Sequence, residues 1–211
     1  MSAVAKHNSI AKRKDGSLSR EHFSLREFRL VAKLRFEGAA DEEIVERAVS
    51  ENLFQYPTLS NAARMARTML LRLASLNDEG LVGLAARGPK EHAAVINLYA
   101  MMRVYPLVRE FMMQEIAPRF RTLDYSLTYA DTNAFITRYQ VERRANAEPW
   151  TESTVKRIAG VLREALVGAG MLADTNSEEL LPFFMDPALE DTFYRNGDQQ
   201  WLAAFNVTEV L

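Results

Sequence analysis

The chain has 211 residues, 48% of them hydrophobic and 26% charged, and a formal net charge of −2. That is enough apolar material for one large globular domain or two small ones, and too much for a disordered chain. It holds no cysteine, which excludes disulfides, thiolate zinc sites and thiol catalysis and fits a reducing cytoplasm.

Residues 1–19 lack periodicity and carry Lys6, Lys12, Arg13 and Lys14, the pattern of a flexible basic arm without the apolar run of a secretory signal. A helix is predicted from Ser24, where Leu25, Phe28, Val31, Ala32 and Leu34 follow helical spacing and Gly38 marks the stop. Asp41 is the expected cap of a second helix, with Ile44, Val45, Ala48 and Val49 as its buried stripe. Pro57 breaks the chain before a third helix, expected to be capped by Ser60 and to end near Leu76 at Asn77-Asp78 and Gly80. Pro89 suits the first position of a helix to about Val104, and Pro106 interrupts the apolar run INLYAMMRVYPLV, too short and too broken to span a bilayer. The next helix runs from Leu107 and is expected to stop at Pro118. Met101, Met102, Met112 and Met113 mark this pair of helices as core. Asp131 is the expected cap of a helix to about Ala145, and a capped helix follows over residues 150–172, ended by Gly168 and Gly170. Residues 171–184 have the pattern of a short β-wing around the turn Asp174-Thr175-Asn176-Ser177.

The expected fold is therefore all-α. Two helix-turn-helix-like modules, at 20–88 and 123–185, are packed through a central methionine-rich helical pair at 89–122. The second module is winged-helix-like, the basic arm lies at 1–19, and an acidic segment closes the chain at 186–211.

Chemistry is conspicuous by its absence. His7, His22 and His92 stand far apart with no ligand at metal spacing, and no phosphate-binding, nucleotide-binding, HExxH or GxSxG motif occurs. No enzyme, cofactor, metal or small-molecule substrate is expected. The charge is unevenly spread: residues 1–40 carry +5, 41–60 carry −4, 61–172 carry +4 and 173–211 carry −7. A positive body with an acidic end points to a polyanion partner.

Two helices share one layout. SNAARMARTMLL from Ser60 aligns without a gap on STVKRIAGVLRE from Ser153, so that Ala62, Met65, Ala66 and Met69 fall opposite Val155, Ile158, Ala159 and Leu162, and Arg64 opposite Arg157. Each follows a helix and a proline-containing loop, the arrangement in which a second helix lays its outer face on DNA. On those faces the candidate DNA-binding residues are Asn61, Arg64, Arg67 and Thr68, then Ser153, Lys156, Arg157 and Arg163, with Lys12 and Arg13 in the arm. Ser75 shares the first face and Gly160 the second, where a glycine lets a backbone come close to a duplex; Leu71, on the first face, wants burial. Lys156, Arg157 and Arg163 are all expected to be exposed. An alternative is a protein-interaction scaffold, in which the acidic segment with Phe183, Phe184, Phe193 and Trp201 binds a partner or covers the core.

The order LREFRLVAKLRFEGAADEEIVERAVSENLF, ARMARTMLLRLASL, NLYAMMRVYPLVREFM, STVKRIAGVLREALVGAGML resembles the BrxA family, over roughly residues 20–173. Its most specific points are Arg72-Leu73 before Ser75-Leu76, Tyr105-Pro106-Leu107 before Phe111, and Ser153-Thr154 with Lys156 and Ala169-Gly170. The resemblance implies a non-enzymatic, double-stranded-DNA-binding component of the bacterial BREX phage-defence system, all-α and similar in part to the antitermination factor NusB. It further implies other BREX proteins as partners, no membrane, and host-DNA methylation and ATP chemistry carried by those partners.

Overall fold

The computed structural model describes residues 15–143 and 148–207, and among them every regular element is helical. Helix α1 (Leu25–Phe36) buries Phe28, Val31 and Ala32 and ends before Gly38, whose φ of 95° suits a residue without Cβ. Helix α2 (Asp41–Ser50) takes Ala40, not Asp41, as its cap; Asp41, Glu42 and Glu43 form its first turn, where carboxylates oppose the positive helix end.

Helix α3 (Leu59–Leu76) likewise departs from expectation, starting after Thr58 and not at a Ser60 cap. Helix α4 (Glu79–Arg87) is unannounced by the sequence. Asn77, Asp78 and Gly80 read as a stop, yet Asp78 caps the new helix by accepting from the Gly80 and Leu81 amides. Helix α5 (Lys90–Val104) is buried without a break from Ala93 to Val104, so it is the hub of the molecule. Helices α1, α2, α4 and α5 all pack on α3.

Pro106 opens α6 (Pro106–Phe111), as expected. Pro118 does not stop the chain, however. A π-helical stretch, Met112–Ile116, leads into α7 (Ala117–Thr122), with the Ala117 amide bonding back to the Met112 carbonyl. That wider turn restarts the helix so that Pro118 falls at its beginning, where a missing N–H costs nothing. Helix α8 (Tyr129–Arg143) opens on a reciprocal pair: Thr128 N donates to the Asp131 carboxylate at 2.8 Å and Asp131 N to Thr128 Oγ1 at 3.1 Å. Helix α9 (Glu152–Gly168) is capped by Thr151, whose hydroxyl accepts from Thr154 N.

No β-wing forms among the described residues. The Asp174 turn is present, its carboxylate accepting from Asn176 N and Ser177 N. Its flanks pair instead with the connector before α8: Leu127 N donates to Glu178 O and Leu180 N to Tyr125 O, leaving one isolated bridge between Ser126 and Glu179.

The acidic end is a cover for the core. Helix α10 (Pro187–Arg195) and a 3-10 turn, Gln199–Phe205, bury Leu189, Phe193, Leu202 and Phe205. The Phe193 ring stacks on Tyr99 of α5 with centroids 4.1 Å apart. At the other end, part of the expected arm is seated: Asp15–Arg20 forms a 3-10 turn against α9 and buries Leu18 completely.

Candidate nucleic-acid interface

The site is built on a buried arginine. Arg72 of α3 is fully enclosed, with Nη2 donating to His22 O at 2.8 Å and Nη1 to Phe23 O at 3.0 Å. Asn97 Nδ2 also donates to Phe23 O, at 2.7 Å, and the Glu21 carboxylate lies 4.0 Å from the guanidinium. From the opposite side, Glu164 of α9 accepts from Phe23 N at 3.0 Å and reaches His22 Nδ1 at 3.1 Å. Gly168 makes room, since a Cβ there would stand 2.1 Å from the Phe23 ring. The segment from Asp15 to Phe23 is thus wedged between α3 and α9 by interactions from both.

Above this wedge lies a cleft of about 480 Å³ whose lining includes Arg20, His22, Arg157, Gly160 and Thr175. Beside it, Arg64 of α3 donates from Nη1 to the Arg20 carbonyl at 3.2 Å. Lys156 is exposed beside Arg157. Among the described residues, no carboxylate lies within ion-pair distance of Arg20, Arg64, Lys156 or Arg157, and the two glutamates at the cleft are already held by His22 and Arg72. Several other arginines are compensated, as in Arg119 and Arg138 on Glu115, Arg195 on Asp78 and Arg47 on Glu51. Two arginines lining one concavity, with Arg64 and Lys156 close by, make a surface suited to phosphates.

The ten sequence-derived residues divide. Arg157 lines the cleft, Arg64 is held beside it on the Arg20 carbonyl, and Lys156 is exposed next to Arg157 in sequence. Asn61 and Ser153 are exposed in the opening turns of α3 and α9, Ser153 Oγ standing 3.1 Å from the capping Thr151 hydroxyl. Arg67 is exposed but faces a different groove, lined by Asp41, Glu42 and Glu46. Lys12 and Arg13 lie outside the described residues.

Three residues expected on outer faces are buried. Thr68 is fully buried, and so is Ser75, whose hydroxyl bonds the Arg72 carbonyl, because α3 has neighbours on most of its circumference. Arg163 has no exposed surface. Its Nε donates to Thr175 O at 2.7 Å, its Nη1 to Leu127 O and Thr132 Oγ1 at 3.3 Å, and its Nη2 to Ser177 O, while the guanidinium lies over the Tyr129 ring. Burial pushes this guanidinium below its ordinary range. Arg163 ties the 174–177 turn to the start of α8, and the carbonyls it occupies include those of Thr175 and Ser177 in the expected wing.

Sequence reasoning missed Arg20 and His22. Arg20 is the last basic residue before α1, in SLSREHF, and no periodicity marks it. Among the described residues no group of three or more metal-ligating side chains occurs, and no helix is long and apolar enough to cross a membrane.

Residues 15–197 match the family model described as BrxA. The chain is 32% identical over 146 residues to the BREX protein BrxA of Bacillus cereus (strain H3081.97), covering 69% of this chain and 72% of that one. It is 24% identical over 178 residues to the BREX protein BrxA of Escherichia coli O9:H4 (strain HS), covering 84% and 83% respectively. An uncharacterized protein of known crystal structure from Magnetospirillum magneticum shares the fold with a TM-score of 0.77 at 18% identity, over 94% of this chain and 100% of that one.

Proposed function

This chain belongs to the BrxA family of BREX phage-defence proteins, and on that premise we propose that it is a non-enzymatic accessory protein binding double-stranded DNA in the cytoplasm. The observation carrying the reading is that Arg20 and Arg157, without a carboxylate in ion-pair distance and from two elements, line one cleft, with Arg64 of a third held against Arg20. Lys156 extends the row, and Lys12 and Arg13, just ahead of Asp15 in sequence, add phosphate contacts. The α8–α9 pair supplies the helix-turn-helix logic: α8 props α9, which lays its Lys156–Arg157 edge along the backbone. Because few side chains are placed to read base edges, binding is mainly to phosphates, with low sequence preference.

Each cation that neutralises a phosphate releases a counterion, so six such pairs, two of them from Lys12 and Arg13, give log K against log salt a slope of about −5.4. Fluorescence anisotropy of a labelled duplex of about two helical turns, measured from low to high salt, checks this. The combined Arg20→Ala, Arg64→Ala, Lys156→Ala and Arg157→Ala variant should bind more weakly and flatten the slope by about one unit for each phosphate-bound cation removed. Binding that ignores salt, no binding at low salt, or a variant indistinguishable from the parent would each end the proposal.

A further inference from the structure

A groove between α2 and α3 lies outside the cleft. Its floor is Val45 of α2 with Leu70, Leu71 and Ala74 of α3, and its volume is about 640 Å³. Its rim carries Asp41, Glu42 and Glu46 from α2, all exposed, with Arg67 on the opposite wall. The groove exists because α2 is short. Ten residues of helix span about 15 Å and the eighteen of α3 about 27 Å, so α2 cannot cover the full length of its neighbour. Leu71, which the sequence places on an outer face yet which wants burial, is left half-buried there, and Ala74 is exposed.

We propose that this groove docks a basic amphipathic helix of a partner protein. Arg67, Leu70, Leu71 and Ala74 stand at i, i+3, i+4 and i+7, one stripe along α3 on which Leu71 and Ala74 keep apolar surface that α2 does not cover, the spacing with which another helix packs. The occupant is basic because the rim is acidic: of the three carboxylates only Asp41 has a cation near it among the described residues, Arg35 at 3.8 Å. Nucleic acid is the wrong ligand here for the same reason. Arg64 and Arg67 are less than one turn apart on α3, so a partner helix in this groove would sit next to whatever the basic cleft holds. The groove chemistry is independent of the DNA reading.

The test uses a synthetic helical peptide of about five turns, with leucines at i, i+3, i+4 and i+7 and lysines elsewhere, and its twin with glutamates in place of the lysines. Both are titrated into the full-length isotope-labelled protein and followed by amide chemical shifts. The basic peptide should perturb Val45, Leu70, Leu71 and Ala74, and the acidic twin should leave them unmoved. Glu42→Lys with Glu46→Lys should weaken the basic peptide about tenfold or more by reversing the rim. Ala74→Arg, at an exposed position, should block the groove while leaving the melting temperature unchanged. The Lys156→Ala, Arg157→Ala protein should bind the peptide as the parent does. Equal binding of both peptides, no binding, perturbations elsewhere, or affinity unmoved by the rim and Ala74 variants would overturn the proposal. Self-association in sedimentation that Ala74→Arg abolishes would also overturn it, giving the groove to a second copy.

Discussion

Arg157 and Arg163 stand six residues apart on α9 and do opposite work. Arg157 is exposed at the cleft, while Arg163 is sealed inside and satisfies carbonyls of two separate loops. The clue to the difference lies in the spacing. Arg163 follows Ala159 by four residues and precedes Leu166 by three, so it has stripe residues on both sides. Lys156 has one only ahead of it, Ala159 at three, and Arg157 stands between Gly160 and Val161 at three and four ahead and Thr154 and Ser153 at three and four behind. Arg72 obeys the same rule, three after Met69 and four before Leu76. What spacing alone does not supply is the set of acceptors, because Thr175, Ser177 and Leu127 come from segments without periodicity. Arg163→Ala removes every one of those bonds and leaves a cavity, so it should cost about 3 kcal/mol or more in urea denaturation. Arg157→Ala should change stability by less than about 0.5 kcal/mol, since nothing inside the fold depends on it. Equal stabilities for the two variants would remove the architectural role given to Arg163. An alanine change at both sites would mix lost stability with lost binding.

Helix α9 is written into its sequence more fully than any other element. A cap at its start, found at Thr151, the Val155–Ile158–Ala159–Leu162 stripe facing the core and the closing glycines follow the expected local pattern. Helix ends set by proline or by a positive-φ glycine are legible in the same way, as at Pro106 and Gly38. Two elements resist. Helix α4 starts on the residues that end α3, so one set of turn signals serves two purposes. The π-helical turn before Pro118 has no local signature, because it is fixed by Met112 and Ile116 packing inside a finished core. Gly160 remains the oddity of α9: it sits in the helix interior, and a Cβ there would meet nothing within 4 Å. A mid-helix glycine costs roughly 0.5–1 kcal/mol relative to alanine, so packing does not account for it. Gly160→Ala should therefore raise stability by about that amount. If α9 lies close along a DNA backbone at the cleft, the same change should lower DNA affinity severalfold. A variant more stable and equally tight in anisotropy would show that the glycine serves no close approach.

At the scale of the whole molecule, the sequence announces an all-helical chain but not which faces meet. Periodicity gives each helix an inside, and α3 has an inside on most of its circumference, which is why Thr68 and Ser75 fail as surface residues. The acidic end shows the same limit. Its charge suggests a free partner-binding segment, yet its apolar residues close the core. Leu189, Phe193, Leu202 and Phe205 are almost completely buried, Phe193 and Phe205 pack edge to face at 5.3 Å, and Asp198 is paired with Arg103 and accepts from the Tyr99 hydroxyl at 2.8 Å. Fully burying each of four large apolar side chains is worth about 1.5–3 kcal/mol, together on the order of 6–12 kcal/mol. That rivals the roughly 5–15 kcal/mol by which a whole protein of this kind is stable. Removing residues 186–211 would also strip Arg103 of its carboxylate and leave a buried cation unmatched. The truncated chain should therefore lose its cooperative melting transition or aggregate, as read by circular dichroism and light scattering. A truncated chain that melts at the parent temperature would refute the structural role of this segment. Loss of complex assembly on truncation would accordingly report unfolding and not a lost docking site. A partner-binding role for this end has to be sought on its outer face, where Tyr194 is 55% exposed and Tyr194→Ala leaves the buried side in place.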